Sequence, residues 1–215
     1  MNLKKILIFD VDGTVCESCK AISDEMIYTL TNLKDSPSLV FISGSTVNQI
    51  YLQISPYLNV NHHLLGTSGA EYVYVKEGER IPVWNHSLKK EEKEEILASF
   101  NSLITKFNIK YLTTKEDQVQ DRDSQITLSA LGRHADPELK AEFDPFGQKR
   151  KEWVMYLATL LSKEKYDIKI GGTTSIDITR KGMDKGYGIK KFADHHGFKL
   201  KDMLFFGDKL KEGGN

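Results

Sequence analysis

The sequence predicts an α/β protein: a parallel sheet with helices, carrying a second α/β domain inserted into it. Three observations predict this. Apolar runs of strand length alternate with helical patterns, as in "SLVFIS" (38–43) followed by "TVNQIYLQI" (46–54), and such alternation marks a parallel sheet. Three of the apolar runs end in polar tips, "DVDGT", "SGS" and "GD". In open parallel sheets, chemistry collects at the carboxyl ends of the strands. The stretch 82–184 has an α/β pattern of its own. A core domain of residues 1–81 and 185–215 and an inserted domain of 82–184 are therefore expected.

Taken in order, Ile6 to Phe9 form an apolar run that ends in Asp10 and Asp12. Alternate residues of a strand share a face, so both carboxylates can point into one small volume. Two anions that close repel, and one pKa rises unless a cation lies between them. A metal ion or a shared proton is implied. The run 38–43 ends at Gly44, and the helix after it stops before Pro56, which cannot continue a helix. "HLLGTSGAEYVYV" (63–75) predicts a buried strand, a turn and an alternating strand.

In the inserted part, residues 87–108 predict a helix. Ile96, Leu97, Phe100, Leu103, Ile104 and Phe107 recur on one face, and Ser87 is the expected N-cap. The Lys/Glu run 89–95 reads as a solvated face. "IKYLTT" (109–114) and "SQITLSAL" (124–131) are strand-like. Residues 149–165 predict a second helix, with Trp153, Met155, Tyr156, Leu157, Leu160 and Leu161 as its apolar stripe. "YDIKIGG" and "SIDIT" predict a hairpin, and "MLFFGD" (203–208) a last core strand.

Of 215 residues, 40% are hydrophobic, which supports a packed core. Lys+Arg and Asp+Glu both number 30. The zero balance gives no pull toward nucleic acid or an anionic membrane as partner. No apolar run approaches the ~20 residues of a membrane span. The N-terminus reads as a strand rather than a signal peptide, and a cytoplasmic location is expected. Cys16 and Cys19 form one C-x-x-C. With no second such pair to complete a tetrahedral site, they are expected to be reduced thiols in a loop.

Aspartate forms an aspartyl-phosphate readily, and Mg²⁺ is commonly held by one or two carboxylates plus substrate phosphate. Asp10 and Asp208 suit that metal role, and Asp12 can act as general acid/base. Ser43, Gly44 and Ser45 lie where a strand meets a helix, so a phosphate can use both hydroxyls and the helix amides. Lys185 can offer positive charge to a phosphoryl group. Each piece has a common alternative: D-x-D recurs in glycosyltransferases, and S-G-S is a frequent turn. Arg122 and Arg133 are candidate phosphate ligands or surface ion-pair partners of Asp121, Asp123 or Asp136.

Together and in this order, "FDVDGT", "FISGS", "GMDKG" and "FFGD" resemble the four motifs of the haloacid dehalogenase superfamily. The resemblance implies a Rossmann-like core with an inserted α/β cap of type IIB (C2b). It narrows to the eukaryotic-type phosphomannomutases through "LIFDVDGT", "RDSQITLSALGR" (122–133), "IGGTTSIDITRKGMDKGYG" (170–188) and "FFGDKLKEGGN" (205–215). That likeness implies Asp10 as the phosphorylated nucleophile and Asp12 as the acid/base. It implies Mg²⁺ held by Asp10, the Asp12 backbone and Asp208. Arg122 and Arg133 match phosphate-binding arginines, Lys140 replaces a third, and Ser175 and Asp177 match sugar-contacting positions. Asp184 and Lys185 match the third motif.

The expected activity is interconversion of mannose 6-phosphate and mannose 1-phosphate, primed by a hexose 1,6-bisphosphate. A small sugar phosphate is then the partner, with a homodimer through the cap. A sugar phosphatase and a truncated, inactive sugar-phosphate binder are the alternatives. The chain departs from the family at Ser18-Cys19, where Pro-Arg is usual, and at Met183 and Thr173. The family continues "GGND" into a further strand and helix, so a partial sequence is expected.

Overall fold

The structure, a computed structural model, describes residues 6–33, 37–208 and 210. It divides into two compact units, Met1–His86 with Met183–Asn215, and Ser87–Gly182.

The first unit is built on six strands: β1 (Ile6–Asp10), β2 (Ser38–Ile42), β3 (His62–Gly66), β4 (Glu71–Lys76), β5 (Glu79–Asn85) and β10 (Met203–Phe206). Their order is β10-β1-β2-β3-β4-β5. The first four in that order run parallel and the last two antiparallel. Strand side chains alternate between faces, and here each face has its own helices. Phe9, Leu39 and Phe41 pack with Leu30 of α1 (Asp24–Thr31) and with Ile50 and Ile54 of α2 (Val47–Ile54). Ile6, Ile8, Val40 and Ile42 pack with Phe192 and Ala193 of α7 (Lys185–His196). Burial on both faces explains why these strands read as continuous apolar runs.

The boundaries expected at 81/82 and 184/185 move to 86/87 and 182/183. The first falls inside β5, which pairs with β4 from Lys76↔Glu79 to Glu71↔Asn85. The side chains of β5 are mostly exposed, so no apolar run announces the strand. At the second, the Asp184 side chain accepts from the Tyr187 amide and caps α7, so it belongs with the helix it starts.

The second unit holds an antiparallel sheet of order β6-β7-β9-β8. The strands are β6 (Val119–Asp121), β7 (Gln125–Ser129), β8 (Tyr166–Gly171) and β9 (Ser175–Arg180). Its Ile126, Leu128, Ile176 and Ile178 face α3 (Lys90–Phe107) and α6 (Gln148–Leu160) in one core. Two short helices, α4 (Lys115–Gln118) and α5 (Pro137–Phe143), complete it. The expected face of α3 is the packed one: Ile96, Phe100 and Leu103 are buried, with Leu97, Ile104 and Phe107 against them.

Other local expectations are corrected. Ser87 does not cap α3; its hydroxyl donates to Asp123 Oδ2 at 2.5 Å. Lys89 is the N-cap, and its amide donates to Glu92 Oε2 at 2.6 Å. The Lys/Glu run is not only a solvated face. Glu92 pairs with Arg180, and Lys93 with Asp121 and Asp123. Residues 109–114 form no strand, and Tyr111 and Leu112 are exposed. In α6, Met155 is 66% exposed, and the buried face is Arg150, Trp153 and Leu157.

Arg150 is the unexpected member of that face. Its Nε donates to Asp144 Oδ2 at 2.9 Å and its Nη2 to the Asp144 carbonyl at 3.0 Å. Its Nη1 donates to the carbonyls of Gly171 and Gly172 at 3.1 and 2.8 Å. The Asp144 carboxylate also accepts the amides of Lys149 and Arg150 at the start of α6, both at 3.1 Å. One buried ion pair thus ties the head of α6 to the β8–β9 turn.

In the first unit, two histidines on β3 are held neutral. The His62 ring bonds to Ser55 Oγ and the Val60 carbonyl, both at 2.7 Å, and burial holds its pKa below the usual value. His63 Nδ1 lies 2.7 Å from the Tyr72 hydroxyl, which lies 2.9 Å from His196 Nε2. Burial, then the neighbouring His196 and His62, lower His63 to about 3. A depressed histidine stabilises the fold above its unfolded pKa, and that contribution is lost as pH falls. With its pKa at about 3, His63 removes about 1.4 kcal/mol per pH unit below about 6.5, and His62 acts in the same direction. Urea unfolding at pH 7 and pH 5 is expected to show a loss of about 2 kcal/mol or more; equal midpoints would count against a neutral His63. Among the described residues, no helix is long and apolar enough to cross a membrane.

Candidate functional site

Strand register brings the predicted tips together in the first unit. Phe9 pairs with Phe206 and Asp10 with Ile42. Asp10 on β1 therefore lies level with Gly207 after β10, and one residue short of Ser43 after β2. Strand β1 sits between β10 and β2, where the chain winds to either side, the usual place for a site in such sheets.

Asp10 is 7% exposed. Its Oδ1 accepts the Val11 amide and its Oδ2 the Lys185 ammonium, both at 2.8 Å. Asp12 does not share a proton with it. Asp12 Oδ2 accepts the Ser43 hydroxyl at 3.0 Å, and its Oδ1 accepts the Cys19 amide at 3.3 Å. A tight turn separates the two carboxylates, with the amides of Thr14, Val15 and Cys16 converging on the Val11 carbonyl at 3.0–3.2 Å. Gly13 has φ +83°, and a Cβ there would stand 3.0 Å from Asp208 Oδ2. Only glycine fits the conformation and leaves room for that carboxylate.

Lys185 is the first residue of α7, and glycine contact sets its place. A Cβ on Gly188 would lie 2.5 Å from the Ser68 carbonyl oxygen, and one on Gly69 2.3 Å from Gly188 Cα. The turn that α7 sits on is strained, with Thr67 at φ 44° and Ser68 at φ 58°; for β-branched Thr67 such a value is a genuine outlier. The same turn donates from Thr67 N to the Ser45 carbonyl at 2.7 Å and from Ser68 N to the Ser43 carbonyl at 2.8 Å. One turn therefore holds both the serine loop and the lysine helix.

At the expected phosphate cradle of α2, several donors already have partners within the chain. Ser43 Oγ is engaged, giving its proton to Asp12 and accepting the Ser45 amide at 3.0 Å. At the helix start, Val47 N donates to Glu71 Oε2 at 2.9 Å and Gln49 N to Thr46 Oγ1 at 3.3 Å. A carboxylate of the protein's own already takes the anion position at that helix end. Glu71 gave no signal in the sequence, being 24 residues from its partner.

The donors at the tips are oxygens: two carboxylates, Asp10 and Asp208, and backbone carbonyls. Such a set suits a hard cation. Among the described residues no three Asp, Glu, His or Cys side chains form a cage by themselves.

The second unit gathers its own polar set. Ser175 pairs with Ser129, and Asp177 lies between Thr127 and Lys169. Ser175 and Asp177 share the sheet face opposite the hydrophobic core. Thr127 Oγ1 donates to Asp177 Oδ1 at 2.7 Å, and Gln125 Nε2 donates to Thr127 Oγ1 at 2.9 Å. Burial pushes the Asp177 carboxyl up, while the Thr127 bond and the Arg122 charge work the other way. Gly171 leaves room beside it: a Cβ there would stand 2.4 Å from Asp177 Oδ2, so the carboxylate would have to shift. Arg122 Nη2 donates to Gln120 Oε1 at 3.0 Å. Arg133 and Lys140 meet, but through the backbone: Lys140 Nζ donates to the Arg133 carbonyl at 2.8 Å. Gln125 and Thr127 were legible in principle, because polar and apolar residues alternate along "QITLS".

Comparison with known proteins accords with this geometry. The phosphomannomutase of Spinacia oleracea is 28% identical over 222 residues, covering 98% of this chain and 84% of its own length. That of Schizosaccharomyces pombe is 29% identical over 223 residues, covering 99% and 83%. Among solved structures, BT1666 from Bacteroides thetaiotaomicron, from work on phosphatases of the superfamily, aligns with a TM-score of 0.64 at 15% identity. The alignment covers 98% of this chain and 79% of that one. The C-terminal domain of C. albicans trehalose-6-phosphate phosphatase also gives 0.64, at 19% identity, covering 95% and 70%. At these identities the structures speak for the fold. The model of the haloacid dehalogenase-like hydrolases matches residues 7–211, nearly the whole chain and all three strand tips, so the chain belongs to that family.

Proposed function

We propose that this chain moves a phosphoryl group between hexose phosphates through a phosphorylated Asp10, in the manner of a phosphomannomutase. The observation that carries the reading is the division of labour between two carboxylates two residues apart. Asp10 faces an ammonium, and Asp12 faces a hydroxyl and an amide. Near full-length likeness to phosphomannomutases supports the sugar phosphate as substrate.

The bonds from Val11 and Lys185 fix the plane of the Asp10 carboxylate for attack on phosphorus. Attack forms an acyl phosphate and breaks the bond to the sugar oxygen. Asp12, oriented by Ser43 and Cys19, gives that oxygen a proton. In the return step Asp12 takes the proton from an attacking sugar hydroxyl, which carries the phosphoryl group away. A Mg²⁺ ion held by Asp10, Asp208 and the Asp12 carbonyl would supply charge neutralisation at the phosphate oxygens. A hexose 1,6-bisphosphate would first charge Asp10. Within the second unit, Arg122, Ser175 and Asp177 are the groups proposed to contact a sugar phosphate.

A coupled mannose 1-phosphate isomerisation assay with added bisphosphate, run beside a phosphate-release assay, tests the reading. Isomerisation is expected to exceed release; release alone would replace mutase by phosphatase. One observation favours that second reading. Lys140, in the place of a family arginine, gives its ammonium to a backbone carbonyl and has no fork with which to grip phosphate. Placement of Lys185 gives a further check. Gly188→Ala forces α7 off Ser68, and kcat is expected to fall about 10–100-fold with KM little changed. Wild-type kcat in that variant would contradict the assigned role of the glycine contact.

A further inference from the structure

The thiols of Cys16 and Cys19 have no part in the chemistry above, yet the backbone of each meets Asp12. Neither is in a disulfide; Cys16 is half-buried and Cys19 exposed. The loop ties both to the acid/base. Gly13 N donates to the Cys16 carbonyl at 2.8 Å, Asp12 and Cys16 form a backbone bridge, and the Cys19 amide donates to Asp12 Oδ1. Between the cysteines the chain turns back on itself, with Lys20 N donating to the Glu17 carbonyl at 3.0 Å. The thiols are close enough to influence one another electrostatically. Cys19 has φ 62°, a left-handed value unfavourable for its type. The half-buried Cys16 Sγ accepts from Gln53 Nε2 at 3.3 Å, while Cys19 is exposed. Cys19 is therefore the sulfur that meets an oxidant first, and Cys16 the one that resolves.

We propose that Cys16 and Cys19 are a reversible dithiol site, oxidised by a low-molecular-weight disulfide of the glutathione type, whose closure takes the Cys19 amide away from Asp12 and slows phosphoryl transfer. The Cys19 thiolate attacks the small disulfide, forms a mixed disulfide and releases one thiol. Cys16 loses its proton, attacks the Cys19 sulfur and displaces the second thiol. Two protein thiols and one small disulfide become one protein disulfide and two small thiols. On this proposal, closing the sulfurs to about 2.05 Å would move the Cys19 backbone, which carries the N–H given to Asp12. Bond formation stands independently of the proposed function; its effect on rate rests on that reading.

The test equilibrates the full chain with Mg²⁺ in glutathione buffers and reads three quantities. These are alkylatable thiols, hydrogen exchange across residues 12–20, and phosphoryl transfer. Under oxidised glutathione both thiols are expected to be lost together, exchange at the loop to rise, and transfer to fall about tenfold or more, since orientation of an acid/base carries that much. Dithiothreitol restores all three. Cys16→Ser is expected to stop at the mixed disulfide and, relative to its own reduced form, to escape the loop opening. Two thiols still alkylatable in an oxidising buffer would overturn the proposal. So would a disulfide that leaves both exchange and rate unchanged, or Cys16→Ser responding as the wild type does. A reduced enzyme without transfer activity would instead count against the proposed function, with thiols and exchange still deciding the dithiol site.

Discussion

Asp10→Asn is expected to lower turnover by on the order of 10⁴-fold or more, because it removes the atom to which phosphorus bonds. The loss should lie in kcat, since Lys185 and Ser43 are unchanged. Folding should survive. Asparagine keeps an acceptor for the Val11 amide and is of the same size. The Lys185 ammonium, 2.8 Å from Asp10 Oδ2 in the wild type, then faces a neutral group. A thermal melt beside the kinetics separates the two effects. Retention of a tenth or more of the wild-type rate, with the fold intact, would mean that phosphorus bonds elsewhere.

The largest stability effect is expected at Arg150, far from any reacting atom. Arg150 and Asp144 are each 4% exposed. Burial alone would raise the Asp144 carboxyl, but hydrogen bonds from the Arg150 side chain and from the Arg150 and Lys149 amides hold it below the usual range. Arg150→Met leaves that carboxylate without its cation and two turn carbonyls without a donor. Breaking a buried pair from one side costs about 3–5 kcal/mol. Asp144→Leu together with Arg150→Met should recover part of this, because no buried charge is left behind. Denaturant midpoints of the two variants test the expectation, and a loss under about 1 kcal/mol for Arg150→Met would show that water replaces the pair.

How far the sequence reveals such features depends on how local their cause is. The strands β1, β2 and β3 were legible because both their faces are buried, which forces unbroken apolar runs; β10 reads the same way although Leu204 and Phe206 on one of its faces are exposed. Strand β5 was not, because its side chains, among them Arg80, Ile81 and Pro82, are mostly exposed. The apolar face of α3 was legible, but its start was not. Ser87 has the right chemistry for a cap, yet Asp123, 36 residues on, claims its hydroxyl. In α6, apolar residues at 155 and 160 suggested a stripe that the fold leaves outside, while Arg150 is buried through partners that sequence spacing does not reveal.

The site divides the same way. Motif residues at strand tips announced Asp10, Asp12, Ser43 and Asp208. Their pairing did not follow from spacing. Lys185 and Asp10 are 175 residues apart and Ser43 and Asp12 are 31 apart, so only the sheet order joins them. The serine loop resembled a phosphate cradle by composition, and the competing carboxylate of Glu71 enters from a neighbouring strand.

The most direct measurement is a rapid quench of the enzyme turning over sugar phosphate, followed by borohydride reduction and peptide mass analysis. An acyl phosphate on aspartate is reduced to homoserine under those conditions. Homoserine at position 10, absent without substrate, is the predicted result. Turnover with Asp10 unmodified, or homoserine at Asp12 or Asp208 in its place, would contradict the account.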